Sequence, residues 1–176
     1  TLVPLIKAAG ELKTKPTQHS VKELKSIGIQ PEVLVCRTEQ DIPEELKRKM
    51  SLFCDIDKDA VIECPDASTI YEVPLILEKN GFANIVCKKL GLENRPFDLT
   101  EWEDLVRRIK NPTKKVKIGI VGKYIELKDA YISISESLKH AGFSSQTEIE
   151  MKYIQAEDLT DENSAEYLSD VEGILV

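Results

Sequence analysis

The stretch VKIGIVGKYIELKDAYISISESLKHAGFSSQTEIEMKYI, residues 116–154, alternates the patterns of strand and helix. VKIGIVGKY (116–124) is apolar and β-branched and predicts a strand. DAYISISESLKHAG (129–142) predicts a helix that ends at Gly142, and TEIEMKYI (147–154) predicts a second strand. A helix at 161–170 and a strand at 173–176 continue the series. This alternation is typical of a parallel, doubly wound sheet.

The preceding part of the chain has the same alternation. PEVLVC (31–36) and AVIEC (60–64) predict buried strands. A capping box at Ser20–Glu23 predicts the start of a helix that ends at Gly28. Further helices are predicted at 43–54, 68–80, 83–90 and 101–110.

The segment NPTKK, residues 111–115, separates the two regions, because it combines a helix breaker and charges without an apolar anchor. We expect it to be an interdomain linker between a domain at 1–110 and a domain at 116–176. The expected fold class is α/β, with two doubly wound, mostly parallel-sheet, Rossmann-like domains, each represented only in part. The lack of an initiator Met also favours a chain that begins inside a longer protein.

The composition narrows the functional class. Hydrophobic residues make up 41% and charged residues 31% of the 176 residues, as in a soluble globular protein. No apolar run approaches the ~20 residues that span a bilayer, so no membrane partner is expected. The net charge of −7 argues against nucleic acid as a partner.

The cysteines and histidines give no sign of a metal site. With only His19 and His140 present, a multi-histidine site is difficult to build. The cysteines are spread without a CxxC pair, which favours reduced core thiols in a cytoplasmic protein over disulfides or metal ligands. They are Cys36, Cys54, Cys64 and Cys87.

The stretch ELKTKPTQHSVKEL, residues 11–24, is a candidate anion site. Lys13 and Lys15 place two ammonium groups in a loop, and Pro16 is expected to hold Lys15 in an extended conformation. The helix predicted from about residue 21 would present free N–H groups to the same place. Hydroxyl and amide groups come from Thr14, Thr17, Gln18 and Ser20. From the residues alone, a solvated lysine loop beside an ordinary helix cap explains the pattern somewhat better.

Two further basic residues are candidates for nucleotide contacts. Arg37 follows a predicted strand, where open α/β sheets bind ligands, although an ion pair with Glu39 or Asp41 is the simpler explanation. Lys49 lies one turn before Phe53 on a predicted helix, and a solvated helix face explains it equally well.

Two strand-end turns complete the candidates. Backbone groups of Pro65, Asp66 and Ala67 are placed to contact a base, although a plain turn is the simpler explanation. GIVGK (119–123) lacks the spacing of a phosphate-binding loop and is rejected as one. No paired carboxylates and no Ser/His/Asp or Cys/His set stand out, so no catalytic residue is assigned.

Several longer strings resemble the CTP synthase family. KTKPTQ followed by SVKEL is highly specific for it, and the other strings agree in order and spacing across essentially the whole chain. They are KMSLFC, AVIECPDASTIYEVP, EWEDLV, IGIVGKYIELKDAYISISESLKHAG and DVEGILV.

The resemblance implies an enzyme with a synthetase (amidoligase) domain followed by a class I glutamine amidotransferase domain. Such enzymes use ATP and Mg²⁺ to phosphorylate the uracil O4 of UTP, and ammonia from glutamine then displaces the phosphate to give CTP. The family is activated by GTP, inhibited by CTP, tetrameric and cytoplasmic. This chain would join the end of the first domain to the start of the second.

The resemblance also assigns roles by position. Lys13, Thr14, Lys15, Pro16, Thr17 and Gln18 match the family's UTP- and CTP-binding segment, and Lys49 matches a further nucleotide-contacting lysine. Pro65, Asp66 and Ala67 match the segment around the adenine of ATP, and Arg37 matches a basic residue near that adenine.

The same resemblance places the catalytic groups outside this chain. The synthetase phosphate-binding loop and metal-binding carboxylates are expected upstream, and the glutaminase nucleophile downstream. This chain alone is therefore expected to be inactive. Two alternatives stay open: a non-catalytic nucleotide-binding regulatory module, and a generic α/β interaction domain whose lysine loop is only solvated.

Overall fold

The computed structural model of the chain describes residues 1–93 and 96–176. The contacts within the chain divide it into two compact units, Thr1–Leu99 and Thr100–Val176. Neither unit contains, in the part of the chain that the structure describes, a helix with the length and apolar character needed to cross a membrane.

Among its described residues, the first unit combines a short antiparallel hairpin, a pair of parallel strands and four helices. Short 3₁₀ turns, at Lys58–Ala60 and Ile70–Glu72, lie between these elements. The strands are β1 (Leu5–Ile6), β2 (Glu11–Leu12), β3 (Leu34–Thr38) and β4 (Val61–Pro65). The helices are α1 (Lys15–Ser26), α2 (Glu44–Cys54), α3 (Val73–Lys79) and α4 (Phe82–Leu90).

Strands β3 and β4 pair in parallel, with Leu34 opposite Val61 and Thr38 opposite Pro65. On the other side of β3, the first residues of the chain add a further stretch of backbone pairing. The N–H of Val3 donates to the Arg37 carbonyl oxygen at 2.9 Å. The core below these strands buries Val3, Val21, Cys36, Met50, Cys54 and Val61, among others.

Helix α1 begins earlier than the capping box predicts. Lys15 is its first residue and Thr14 its N-cap, whereas Ser20 lies inside the helix and donates to the Pro16 carbonyl oxygen at 3.0 Å. The predicted capping box is therefore wrong, as is the extended conformation predicted for Lys15. Pro16 is compatible with the first turn of a helix because no N–H is needed there. Burial of Thr17 and Val21, four residues apart on one helix face, favours the earlier start.

The end of α1 agrees with the prediction. Gly28 has φ +86°, and its N–H donates to the Lys25 carbonyl oxygen while that of Ile29 donates to the Leu24 carbonyl oxygen. This pair of hydrogen bonds is a Schellman motif, which favours glycine because of the left-handed backbone.

Strand β3 lies later than predicted. It covers Leu34–Thr38 instead of 31–36, so Arg37 is inside the strand and does not follow it. The reason is tertiary, because β4 pairs with it as far as Thr38 and the N-terminal segment hydrogen-bonds to Arg37. The helix predicted at 68–80 is likewise shorter, with α3 beginning at Val73 after a 3₁₀ turn.

The second unit is a three-stranded parallel sheet with helices. The strands of this unit are β5 (Lys114–Gly122), β6 (Thr147–Gln155) and β7 (Gly173–Leu175), and the helices are α5 (Thr100–Lys110), α6 (Ile132–Ser144) and α7 (Ser164–Tyr167). The strand order is β6-β5-β7. Tyr153 of β6 and Ser135 of α6 share a hydrogen bond of 2.7 Å, which fixes the helix against the sheet. The predicted fold class, α/β with parallel, Rossmann-like partial domains, is confirmed.

Three boundaries in this unit differ from the predictions. Strand β5 begins at Lys114, inside the predicted linker, because Lys114 pairs with Thr147 of β6. Helix α6 continues through Gly142 to Ser144, and a Cβ at Gly142 would overlap the Thr147 carbonyl oxygen. Helix α7 has only four residues. The predicted assignment of 1–110 and 116–176 to two domains remains a prediction.

The four cysteines are free thiols. Cys36 and Cys54 are buried, and burial raises the pKa of the Cys36 thiol to about 11. Cys36 is therefore a neutral core side chain at physiological pH.

Candidate functional site

A short hairpin carries the lysine stretch to the carboxyl edge of the parallel strands. Ile6 of β1 pairs with Glu11 of β2, and Gly10 turns the chain with φ +64°. The hairpin follows the segment that pairs with Arg37, and Lys7 lies 3.7 Å from Glu39, directly beyond β3. Ligands of open α/β sheets bind at this edge, so the position suits a binding site.

The candidate residues 13–18 divide into an outer and an inner set. Lys13, Lys15 and Pro16 are exposed, whereas Thr14 and Thr17 are buried and Gln18 is half-buried. The polar atoms of the inner set bond within the protein and fix the start of α1. The hydroxyl of Thr17 donates to the Leu2 carbonyl oxygen at 2.9 Å, and the Gln18 amide donates to the Thr14 hydroxyl at 3.0 Å.

One of the outer lysines pairs with a neighbouring carboxylate. Lys13 forms an ion pair with Glu11, which lies two residues before it on the exposed side of the hairpin. The hydrogen bond and charge of Lys13 lower the pKa of Glu11, and the charge of Lys49 on α2 lowers it further. Lys13 contacts this carboxylate, and the charge of Lys49 acts on it from another helix.

The start of α1 adds positive potential beside these lysines. Lys15 is its first residue, the first turn contains no acidic residue, and the Thr14 side chain does not cap it. The helix dipole places partial positive charge at this end. An anion with several oxygens would be stabilised here by ammonium groups and by the helix.

Of the neighbouring basic residues on α2, Lys47 has a structural role. Its side chain is 18% exposed and lies 3.4 Å from Glu63 of β4. Lys49 is exposed. The apolar face predicted beside it is only partly buried, because Met50 is fully buried but Phe53 is 62% exposed.

The second candidate turn closes the ends of β3 and β4. Pro65 is the last residue of β4, and the N–H of Asp66 donates to the Thr38 carbonyl oxygen at 2.9 Å. Arg37 donates from Nε to Asp66 Oδ1 at 2.7 Å, which raises the pKa of Arg37. The partner of Arg37 is therefore Asp66, and the predicted pairing with Glu39 or Asp41 is wrong.

Sequence reasoning missed one residue and one contact at this edge. Glu11 was inside the quoted stretch without a role, although its i, i+2 spacing from Lys13 in an extended segment could have indicated the pair. The contact between Arg37 and Asp66 joins two strands and has no local signal.

The sequence of the chain is similar to those of known proteins. A family model described as "CTP synthase N-terminus" matches residues 1–92. All 176 residues align with the CTP synthases of Bacillus pumilus at 56% identity and Geobacillus kaustophilus at 57%. The CTP synthase of Ruminiclostridium cellulolyticum is 54% identical over the same length. The chain covers 33% of each of these proteins, about a third of their length.

Proposed function

Because the chain belongs to the CTP synthase family, we propose that it is a nucleotide-binding part of an enzyme that makes CTP from UTP, ATP and glutamine. In this proposal the chain joins the end of the synthetase domain to the start of a class I glutamine amidotransferase domain. The whole protein would be a cytoplasmic homotetramer activated by GTP.

The observation that supports this function best is the position of exposed Lys13 and Lys15 at the start of α1, where the first turn contains no acidic residue. A triphosphate carries several negative charges, which need fixed cations when the nucleotide enters a protein cleft. In this proposal Lys13, Lys15 and Lys49 bind the triphosphate of UTP. Pro16 lies in the first turn of α1 and helps to fix the start of the helix. Thr14, Thr17 and Gln18 belong to the same segment and hold the helix start in place.

One set of lysines would bind both the substrate UTP and the inhibitor CTP. UTP and CTP have the same triphosphate, so lysines that bind one also bind the other. The differing edges of the bases lie away from the phosphates. Product inhibition by CTP is then a direct consequence of phosphate recognition.

The adenine of ATP is proposed to contact the turn at Pro65, Asp66 and Ala67. The hydrogen bond from Asp66 to Thr38 holds this turn at the carboxyl edge of the sheet, and the Arg37 guanidinium is held beside it. Backbone groups at such a strand end are placed to bind a base edge.

The reaction also needs Mg²⁺, which offsets phosphate charge when bound. Among residues 1–93 and 96–176 there is no group of three or more His, Cys, Asp or Glu side chains placed to hold a metal. The proposal therefore assigns no residue of this chain to the metal.

The test is Lys15→Ala in the full-length protein. We expect the KM for UTP and the inhibition constant of CTP to rise together by about 10- to 100-fold, because one charge-assisted contact is lost from both nucleotides. Lys22→Ala is the matched control, since it removes an exposed lysine about two turns farther along α1. Steady-state kinetics measure both constants.

Each outcome has a clear meaning. Unchanged UTP and CTP dependence in Lys15→Ala would contradict the placement of the triphosphate. Binding of UTP and CTP by a full-length protein that forms no CTP would favour the regulatory module instead. Absence of thermal stabilisation by millimolar UTP or CTP would favour the interaction domain.

A further inference from the structure

Glu11 occupies the position where the proposed site needs positive charge. It lies on β2, and the next residue, Leu12, points into the core with 7% of its surface exposed. Glu11 and Lys13 therefore share the outer face of the hairpin. Pairing of Ile6 with Glu11 and the bond from the Lys13 N–H to the Pro4 carbonyl oxygen (3.0 Å) hold both backbones in place.

The three lysines differ in their partners. Lys13 is paired with Glu11, and both side chains keep contact with solvent, at 45% and 57% exposure. Lys15 and Lys49 make no side-chain hydrogen bond or close ion pair within residues 1–93 and 96–176. The charge of Lys49 also acts on Glu11 and, with that of Lys13, lowers its pKa.

We infer that Glu11 is a built-in counter-ion that competes with nucleotide phosphate for Lys13 and so limits the affinity of the site for UTP and CTP. The inference rests on the proposed function and adds a regulator of the same site. Without nucleotide, Glu11 holds the Lys13 ammonium group at the hairpin. When a triphosphate enters, Lys13 exchanges a carboxylate partner for a phosphate partner, and Glu11 is left beside like charge.

The exchange lowers the net gain from binding in two ways. Lys13 gives up one ion pair to form another, and the carboxylate repels the incoming oxygens. Both contributions depend on phosphate charge and act on UTP and CTP alike. A weaker, reversible hold suits a site shared by a substrate and an inhibitor, because a very tight site would retain the product.

The experiment uses Glu11→Gln in the full-length protein. We expect the KM for UTP and the inhibition constant of CTP both to fall by about three- to tenfold, because the neutral amide releases Lys13 and removes the repulsion. The effect should shrink at high salt, since screening weakens both contributions. Glu23→Gln is the matched control, because it neutralises an exposed carboxylate of α1 away from the lysine cluster. The control is expected to match the wild type.

A second variant tests the route through Lys13. In a Lys13→Ala background, Glu11→Gln should give a clearly smaller gain, because the competition for Lys13 is already removed. An equal gain in both backgrounds would overturn the counter-ion role. Weaker UTP and CTP binding by Glu11→Gln alone would also overturn it, because Glu11 would then help to position Lys13.

The failure of this inference can be told apart from failure of the proposed function. If Lys15→Ala weakens both nucleotides while Glu11→Gln changes neither, the triphosphate site stands and the counter-ion role is wrong. If neither variant changes either nucleotide, the site itself is misplaced and the counter-ion role is overturned with it.

Discussion

Asp170 is a carboxylate that two lysines of the second unit share. It accepts hydrogen bonds from Lys152 of β6 at 2.6 Å and Lys117 of β5 at 3.0 Å. These two bonds lower the pKa of Asp170 to about 2. The carboxylate thus links two adjacent strands of the second unit, and it does so only when ionised.

The pH dependence of stability should report this carboxylate. Because the folded-state pKa is lowered, the stabilisation is present above the ordinary value of 3.8 and is lost as the pH falls towards about 2. We expect Asp170→Asn to be less stable than the wild type at pH 5–7, with the difference vanishing near pH 2.

Circular dichroism during chemical denaturation at a series of pH values would measure the difference. Asp161→Asn, at an exposed aspartate of the same unit, is the control and should show no such convergence. A wild-type advantage that stays constant from pH 7 to pH 2 would contradict the role of Asp170.

At the scale of the element, the start of α1 decides which polar groups face a ligand. With the helix beginning at Lys15, the side chains of Thr14 and Thr17 turn inward and those of Lys13 and Lys15 stay outside. Had the helix begun at Ser20, all of these residues would have formed a loop. The anion site would then have lacked a rigid support.

Two substitutions in α1 distinguish these starts. Thr17→Val removes a fully buried hydroxyl and leaves the Leu2 carbonyl oxygen without its partner, which should cost about 1–3 kcal/mol. Ser20→Ala removes an exposed hydroxyl inside a helix and should change stability by less than about 0.5 kcal/mol. Thermal unfolding of both variants measures the difference.

The outcome separates the helix start from the cap. If Ser20 were an N-cap, its replacement by alanine would cost about 1 kcal/mol. A larger loss for Ser20→Ala than for Thr17→Val would therefore contradict the observed start at Lys15.

At the scale of the whole molecule, the chain consists of two α/β units whose sheets differ in the number of strands. The first has a two-stranded parallel sheet extended by the N-terminal segment, and the second has three parallel strands. The proposed nucleotide contacts all lie in the first unit, within the residues matched by the family model. Under the proposed function, this chain supplies nucleotide contacts and no catalytic group.

An assay of the isolated chain tests the absence of a catalytic group. With UTP, ATP, Mg²⁺ and ammonium chloride, we expect the 176-residue chain to form no CTP, because it covers 33% of its relatives and no catalytic group is assigned to it. The full-length protein, assayed in parallel, is the positive control. Chromatographic detection of CTP made by the isolated chain would contradict the prediction.

Local patterns predicted the order and type of most elements. Gly28 ends α1 with a left-handed backbone, as predicted, and the apolar runs at 116–124 and 147–154 correspond to β5 and β6. Errors of two or three residues arose at β3 and β5, where pairing with a distant strand extended or shifted the ends. Gly142 was predicted to end α6, but the helix continues to Ser144. Glycine is needed at this position because a Cβ would overlap the carbonyl oxygen of Thr147.

The sequence by itself determined the α/β class, the family and the lysines proposed to bind phosphate, because these follow from local periodicity and from specific strings. Only the tertiary structure decided that α1 begins at Lys15, that Arg37 pairs with Asp66, and that the charge of Lys49 acts on Glu11. The physical reason is that burial and charge pairing act through space, between residues that no local pattern connects.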